Sequence, residues 1–451
     1  MNIYTKAQPW QIFQQKNCYA DIHHLSEPQD WIKNPLLDEE IKMSERFLRL
    51  EAMVIDETTG ECVVPWVKGE KTDDFQYTFE IKNVPVGGPY IIQRRAVFRN
   101  DNGGEDAWGA SNEVCHIGVG DVFLITGQSN AQGYARGMFT EELQLGVSCF
   151  KSDNTWDIAS QPLSGNGYSM YLNFAKLLNK KLGYPVGIIP RAVGGSAIKA
   201  WLKDGIHTKR IVKEKNEFGL DIRAILWYQG CTDTTVGNNR DDYRECFIEY
   251  VSYMREVFDN DKLPVFTFQI NRVWNDSEYD DYGWDCIREI QRTMPKHIDN
   301  VYVLPTIDAW MMSDAIHNSR ASNMLLSERL YYQVLDKLYN KTQAAEAPDI
   351  SEARMADRNT VELIFKNVIG KIEVFGATAE NLPFCVTDDD GVAEICEYEI
   401  KHNIISLKLI RPLCKNAKVK GFYGTHPSRI MIDYETQLPI FPFSNVEIKN
   451  S

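Results

Sequence analysis

A serine, a histidine and an aspartate in this sequence have the chemical types that ester hydrolysis needs. Ser129 closely follows an apolar run, Val122–Ile125, and Asp314 precedes His317 by three residues. In the predicted roles, the Ser129 hydroxyl attacks a carbonyl carbon, His317 takes its proton and returns it to the leaving alcohol, and Asp314 fixes the imidazole tautomer. Each feature also has a simpler explanation. Ser129 could only cap a helix, and Asp314 and His317 could be a surface pair.

Groups that could stabilise an oxyanion follow other apolar runs. Gly194 and Gly195 come directly after one run, and Gln229 directly after the next. Ligands of an open α/β sheet bind beyond the carboxyl ends of its strands, so we expect these residues to converge with Ser129. We predict the N–H groups of Ser129 and Gly195 and the side-chain amide of Gln229 as oxyanion donors. Taken singly, the glycine pair could be a plain turn and Gln229 a polar strand end.

The order of elements predicts an α/β fold for the middle of the chain. Between residues 116 and 345, five apolar runs that are typical of buried strands alternate with helical patterns. The predicted strands are Val122–Ile125, Val186–Val193, Ala224–Tyr228, Val265–Ile270 and Val301–Ile307. The predicted helices are 169–182, 240–258, 284–294 and 321–338. Near-continuous apolar strands separated by helices indicate a three-layer α/β/α domain with a five-stranded parallel sheet.

The two ends of the chain have a different pattern. Short runs of alternating polarity, such as Phe47–Ile55 and Ile404–Ile410, are separated by turn residues. This pattern favours β structure. We therefore predict a β-sandwich-like domain over residues 1–115, the α/β domain over 116–345, and a β-rich domain over 346–451.

Charge and composition exclude several classes of partner. The formal net charge is −14, which argues against nucleic acid and anionic membranes as partners. The sequence contains no C-x-x-C or H-E-x-x-H motif and its histidines do not cluster, so we predict isolated thiols and no metal. The chain starts without an apolar signal region, from which we expect a cytoplasmic location, or a secreted or periplasmic one if a signal peptide has been removed.

Four segments in order resemble a known family. They are Gly120–Asn130, Gly194–Trp201, Leu226–Gly230 and Asp314–His317. Together they are similar to the sequence blocks of the sialate O-acetylesterase-like group of SGNH hydrolases. The resemblance implies an SGNH-hydrolase-like core and a carbohydrate esterase that removes O-acetyl groups without a cofactor. The implied substrate is an acetylated mono- or oligosaccharide, and the oligomeric state stays open.

The same resemblance implies roles for eight residues. The catalytic residues are Ser129, Asp314 and His317, the oxyanion residues are Ser129, Gly195 and Gln229, and the substrate-binding residues are Gln128, Arg136 and Trp201. Core packing is an alternative explanation for Trp201, and a solvated loop is an alternative for Arg136.

One position departs from the family pattern. Members commonly carry Trp-Tyr-Gln-Gly-Glu, whereas Cys231 stands here in place of the glutamate. A neutral thiol cannot replace that charge. We expect Cys231 to be buried and inert, and the activity to survive. The alternative hypothesis is a carbohydrate-binding protein with an esterase-like core of weak or lost activity.

Overall fold

The chain forms a mixed α/β structure with β-rich regions before and after an α/β core. The computed structural model describes residues 3–26, 46–73, 76–109, 113–137, 141–235, 240–274, 280–427 and 429–450. Three separate hydrophobic clusters fill the N-terminal, central and C-terminal parts. The exact domain boundaries stay a prediction. Within the described ranges, no helix combines the length and apolar character needed to cross a membrane.

The N-terminal region consists of strands. They are β1 (Ile12–Gln14), β2 (Tyr19–Ser26), β3 (Phe47–Asp56), β4 (Cys62–Lys68), β5 (Glu70–Asp73), β6 (Gln76–Pro85), β7 (Gly87–Arg99), β8 (Glu105–Gly109) and β9 (Val114–Gly127). Strands β2, β6 and β5 form a small antiparallel sheet, while β3, β4, β7 and β8 join a larger sheet through β9.

The core alternates strands and helices. Its elements after β9 are α1 (Ser129–Gln132), β10 (Val147–Phe150), β11 (Trp156–Ile158), α2 (Met170–Leu182), β12 (Val186–Pro190), α3 (Ile206–Phe218), β13 (Ala224–Tyr228), α4 (Tyr243–Val257), β14 (Val265–Phe268), α5 (Asp281–Thr293), β15 (Val301–Leu304) and α6 (Arg320–Tyr339). The strands lie in the order β11-β10-β12-β9-β13-β14-β15. All neighbours are parallel except β11, which pairs antiparallel with β10.

The core sheet is larger than the predicted five-stranded one. In the described part of the chain, six strands run parallel, because β10 adds to the five predicted positions, and β11 adds an antiparallel edge. Both additional strands are very short, which is why no extended apolar run marked them. Helix α3 was also not predicted: its buried residues are only Thr208, Ile211 and Glu214, too narrow an apolar stripe to stand out.

The C-terminal region is β-rich, as its alternating pattern predicted. Its strands are β16 (Asp349–Met355), β17 (Thr360–Lys366), β18 (Ile372–Glu373), β19 (Phe384–Asp388), β20 (Gly391–Ala393), β21 (Ile395–Lys401), β22 (Ile404–Leu409), β23 (Lys418–Gly421), β24 (Ile432–Asp433) and β25 (Phe443–Lys449). Eight of them form one sheet in the order β20-β19-β23-β25-β16-β17-β22-β21.

Strand β9 connects the N-terminal region to the core. Its first half pairs with β1 and β7, and its second half, from Asp121 onward, pairs with β12 and β13. Gly127, the last residue of β9, lies opposite Tyr228, the last residue of β13. The loops that follow these parallel strands therefore emerge side by side at one edge of the sheet.

Candidate active site

Ser129 lies in a tight connection between β9 and α1. Gly127 has a φ of +120°, and a Cβ there would approach the Tyr228 carbonyl oxygen to 2.3 Å, so only glycine allows this close approach to β13. Gln128, with extended backbone, is the N-cap residue of α1, and Ser129 is the first helical residue. The capping explanation for Ser129 is therefore wrong, because the residue lies inside the helix.

Asp314 and His317 form a hydrogen-bonded pair. The His317 Nδ1 and the Asp314 Oδ2 are 2.8 Å apart, and Asp314 Oδ1 also accepts the His317 backbone N–H at 3.1 Å. Burial acts to raise the pKa of Asp314, but these hydrogen bonds lower it by more, so the pKa lies below its ordinary value. With a proton on Nδ1 facing the carboxylate, Nε2 is the nitrogen that can accept a proton.

Asn130 links the Ser129 connection to the segment that carries His317. Its Nδ2 donates to the Ile316 carbonyl at 3.4 Å, and its Oδ1 accepts the Asn318 N–H at 3.0 Å. Asn130 directly follows Ser129, and its two partners flank His317. These hydrogen bonds attach the residue after Ser129 to the backbone on either side of His317.

Residues at the end of α1 bring in the glycine pair. Gln132 Oε1 accepts the Gly194 N–H at 2.8 Å. The Tyr134 ring stacks on His317, with centroids 5.0 Å apart and planes 15° apart, and a Cβ on Gly194 would lie 3.2 Å from its hydroxyl. Tyr134 thus lies between the histidine and the glycines, a position that its sequence context did not reveal.

Two backbone N–H groups at this place are unused. Among the described residues, neither the Ser129 N–H nor the Gly195 N–H has a hydrogen-bond acceptor. Gly195 has a φ of +70°, which favours glycine, and open space where a Cβ would be. Both groups can donate to a negatively charged oxygen, and their role as oxyanion donors stays a prediction.

Gln229 occupies a different environment from the predicted one. Its side chain is fully buried, and Nε2 donates to the Ser196 carbonyl at 3.1 Å and to the Asp233 carboxylate. Both N–H groups are used, so the predicted oxyanion donor is not free to serve in this arrangement. Asp233 also accepts the Ile198 N–H at 3.0 Å. Sequence reasoning missed Asp233, although it is an acidic residue four positions after Gln229 in the same loop.

Cys231 and Gln128 have internal roles. Cys231 is buried, and burial raises the pKa of its thiol to about 12, so the thiol stays protonated and inert as expected. Gln128 is buried too, and its Oε1 accepts the N–H groups of Gly230 at 3.0 Å and Thr232 at 3.3 Å. Gln128 therefore connects two loops, and its predicted contact with substrate is not supported by this geometry.

The two other predicted pocket residues differ from each other. Trp201 is fully buried in the core, where its Nε1–H donates to Ser196 Oγ at 3.0 Å and its ring packs edge-on against Trp227. The core-packing alternative is thus correct for Trp201. Arg136 is exposed, and its backbone N–H contacts the Met312 sulfur at 3.0 Å, which places it beside the segment that carries His317. Its contact with substrate stays a prediction.

Among the described residues, no group of three or more His, Cys, Asp or Glu side chains has an arrangement that could hold a metal ion. The absence of a cofactor stays a prediction.

Comparisons with known proteins identify relatives of the α/β core. Residues 119–336 match the model of a family described as carbohydrate esterase, sialic acid-specific acetylesterase. A probable carbohydrate esterase from Arabidopsis thaliana is 26% identical over 33% of this chain and 68% of its own length. Human sialate O-acetylesterase is 22% identical over 44% of this chain, and this match spans only 46% of the human protein.

A solved structure shows the same fold over almost the whole chain. A carbohydrate acetylesterase from Xanthomonas citri aligns with a TM-score of 0.68, covering 98% of this chain and 99% of that one at 19% identity. Residues 119–336, just under half of the chain, thus match a carbohydrate esterase family, and the curated relatives of this segment are carboxylic ester hydrolases.

Proposed function

We propose that the protein is a serine esterase that hydrolyses O-acetyl esters on carbohydrates through an acyl-enzyme on Ser129. The observation that carries this proposal is the pair of Asn130 hydrogen bonds to the residues on either side of His317. They attach the residue after Ser129 to the segment of the Asp314–His317 pair, which supports Ser129 as the nucleophile. We further propose that the core is the three-layer α/β/α domain of SGNH hydrolases and that residues 1–115 and 346–451 are separate domains.

The proposed reaction has two halves. His317 Nε2 takes the Ser129 proton as Oγ attacks the acetyl carbonyl carbon, and the resulting oxyanion is held by the N–H groups of Ser129 and Gly195. When the tetrahedral intermediate collapses, the bond between the acetyl carbonyl carbon and the sugar oxygen breaks, and His317 gives its proton to that oxygen. Water, deprotonated by His317, then attacks the acetyl-serine, and acetate leaves as Ser129 recovers its proton.

The nucleophile is tested with an aryl ester. We expect wild-type protein to hydrolyse 4-nitrophenyl acetate and Ser129→Ala or His317→Ala to lower kcat by at least about 10³-fold. Ser160→Ala is the matched control, because Ser160 is an exposed serine of the same region. Equal activity of Ser129→Ala and wild type would refute the acyl-enzyme.

The substrate class rests on the relatives, which are described as carbohydrate esterases and sialate O-acetylesterases. A panel of acetylated sialic acids, acetylated xylo-oligosaccharides and simple acetylated sugars would identify the sugar. We expect hydrolysis of at least one member and its loss in Ser129→Ala. If aryl acetates are hydrolysed but no acetylated sugar is, the carbohydrate part of the proposal is wrong.

The alternative is a carbohydrate-binding protein with an esterase-like core of weak or lost activity. Its support is Cys231 in place of the family glutamate, together with the two β-rich regions. This alternative requires that wild type and Ser129→Ala bind a sugar equally well and hydrolyse its acetate at the same negligible rate.

A further inference from the structure

Two exposed tryptophans belong to segments next to the proposed catalytic residues. Among the tryptophans whose exposure the structure describes, Trp274 and Trp310 are the exposed ones, at 52% and 76%. Trp310 shortly precedes Asp314 in the chain, and the Trp274 N–H donates to the Ala315 carbonyl at 3.0 Å. Exposed aromatic surface concentrated at one place marks a binding site better than scattered apolar residues do.

The Trp274 contact supports a strained turn. Ala315 lies between Asp314 and His317 in the left-handed region, with a φ of +69°. The hydrogen bond from Trp274 holds the carbonyl of this residue in place. Trp274 is therefore fixed relative to the reacting groups by its own backbone.

The C-terminal region supports the Trp274 side chain. The His426 ring packs on the Trp274 ring, with centroids 3.6 Å apart and planes 35° apart. Next to this contact, the Val273 N–H donates to the Thr425 carbonyl at 3.0 Å. One side of the indole is thus covered by His426, while half of the side chain's surface remains in solvent.

The loop that presents His426 is itself anchored to the core. The Gly424 N–H donates to Asp285 Oδ1 at 2.6 Å, and Arg288 Nη1 donates to the Gly424 carbonyl at 2.6 Å. The Thr425 N–H donates to Asp281 Oδ1 at 2.7 Å. All three core residues belong to α5, so the loop is held on a regular element and the aromatic surface is pre-organised.

We infer that Trp274, backed by His426, forms with Trp310 the surface on which the sugar ring of the acetylated substrate stacks. A pyranose ring has an apolar face of C–H groups that packs on an aromatic ring, while its hydroxyl groups stay in water or meet polar side chains. The C-terminal region thereby takes part in substrate binding. This inference rests on the proposed esterase function and adds the residues that select a sugar ester over a small ester.

The test compares two substrates in Trp274→Ala. The hydrogen bond to Ala315 comes from the backbone and persists in the variant, so the proposed triad keeps its support. We expect the ratio of kcat/KM for the best acetylated sugar of the panel to kcat/KM for 4-nitrophenyl acetate to fall about 10-fold, mainly through KM for the sugar. Trp310→Ala should act in the same direction, and His426→Ala more weakly.

Phe375→Ala is the matched control, because Phe375 is an aromatic residue of the C-terminal region that is 80% exposed. Its ratio should equal that of wild type. An unchanged ratio in both Trp274→Ala and Trp310→Ala would overturn the inference. An equal fall on both substrates would overturn it as well, since it would show an effect on the triad and not on the sugar.

A binding measurement separates this inference from the proposed function. In Ser129→Ala protein, calorimetry with the same acetylated sugar should show about 10-fold weaker affinity when Trp274→Ala is added. If wild type hydrolyses no ester, the proposed function fails, and this comparison still tests the stacking surface. Unchanged affinity would overturn the stacking surface whatever the catalytic result.

Discussion

The loops after β9 and β13 follow adjacent strands of one sheet, yet their polar groups have opposite fates. After β9, the Ser129 N–H has no acceptor among the described residues, and the next residue, Asn130, accepts the N–H of Asn318, the residue after His317. After β13, the Gln229 amide and the Asp233 carboxylate bind each other and the backbone of the Gly194–Ile198 segment. The ends of adjacent parallel strands thus predict where polar side chains gather. Which of these groups can react depends on the hydrogen bonds that they already make.

The difference has an energetic side. Removing the partner of a buried polar group lowers the free energy of unfolding by about 1–3 kcal/mol. The hydrogen bonds of Gln229 are therefore costly to exchange for a contact with substrate. The unused N–H groups of Ser129 and Gly195 have no partner to lose when an oxyanion arrives. We therefore expect substitutions in the first loop to change the rate, and substitutions in the second to change mainly the stability.

The largest expected effect is on the reactive side of the comparison. Asp314→Asn keeps the shape of the side chain but replaces one carboxylate oxygen by an NH2 donor, which favours the His317 tautomer without a proton on Nδ1, so kcat for 4-nitrophenyl acetate should fall by about 10³–10⁴-fold. The measurement is steady-state hydrolysis, with circular dichroism to verify folding. A folded Asp314→Asn protein with wild-type kcat would show that His317 does not depend on this carboxylate.

The second prediction concerns the buried hydrogen bonds of Gln229 after β13. Gln229→Met keeps the volume but removes one donor from Asp233 and the donor to the Ser196 carbonyl, so the free energy of unfolding should fall by about 1–3 kcal/mol in urea denaturation. We expect kcat to fall less than about 10-fold, whereas loss of an oxyanion donor costs about 10²–10³-fold.

Gln144→Met is the matched control for Gln229→Met. Gln144 Nε2 also donates to a backbone carbonyl and a side-chain oxygen, those of Lys176 and Asn179, and it lies outside the proposed site. It should lower stability and leave kcat unchanged. A kcat loss of 100-fold or more in Gln229→Met at undiminished stability would restore Gln229 as an oxyanion donor.

The smallest effect concerns Cys231. Because burial raises the pKa of its thiol to about 12, iodoacetamide at pH 8.5 should leave Cys231 unmodified in the folded protein and aryl esterase activity intact. Mass spectrometry should find the label on exposed thiols such as those of Cys18, Cys62 and Cys414. Labelling of Cys231 with a parallel loss of activity would show that its thiol is reactive and belongs to the site.

The sequence predicted the parts of the molecule that depend on local pattern. The apolar runs marked β12, β13, β14 and β15 because buried parallel strands are apolar on both faces. The same rule predicted that Ser129, Gly195 and His317 converge, and the hydrogen bonds of Asn130 and Gln132 link the segments that carry them. Strands β10 and β11 were not predicted, because strands of three or four residues are too short to show a hydrophobic periodicity.

Side-chain direction could not be predicted in the same way. Trp201 and Gln229 belong to segments that resemble the family, but both turn inward, toward Ser196 in each case. Gln229 reaches Ser196, and the Trp201 ring packs on Trp227, in each case across two segments, so no pattern within one segment reveals these contacts. Trp274 and His426 are farther apart still in the chain, and only the packing of the C-terminal region on α5 places them together.

Strand β9 pairs with strands of both the N-terminal region and the core, which limits how these two regions could be separated or recombined. The predicted boundary after residue 115 falls within β9, and residues 118–120 of this strand pair in parallel with β1. A core cut at that boundary would start inside its own central strand and lack the chain that lies against it. The N-terminal region therefore cannot be exchanged as an independent module. Any replacement would have to supply a strand that pairs with β9, which ends two residues before Ser129.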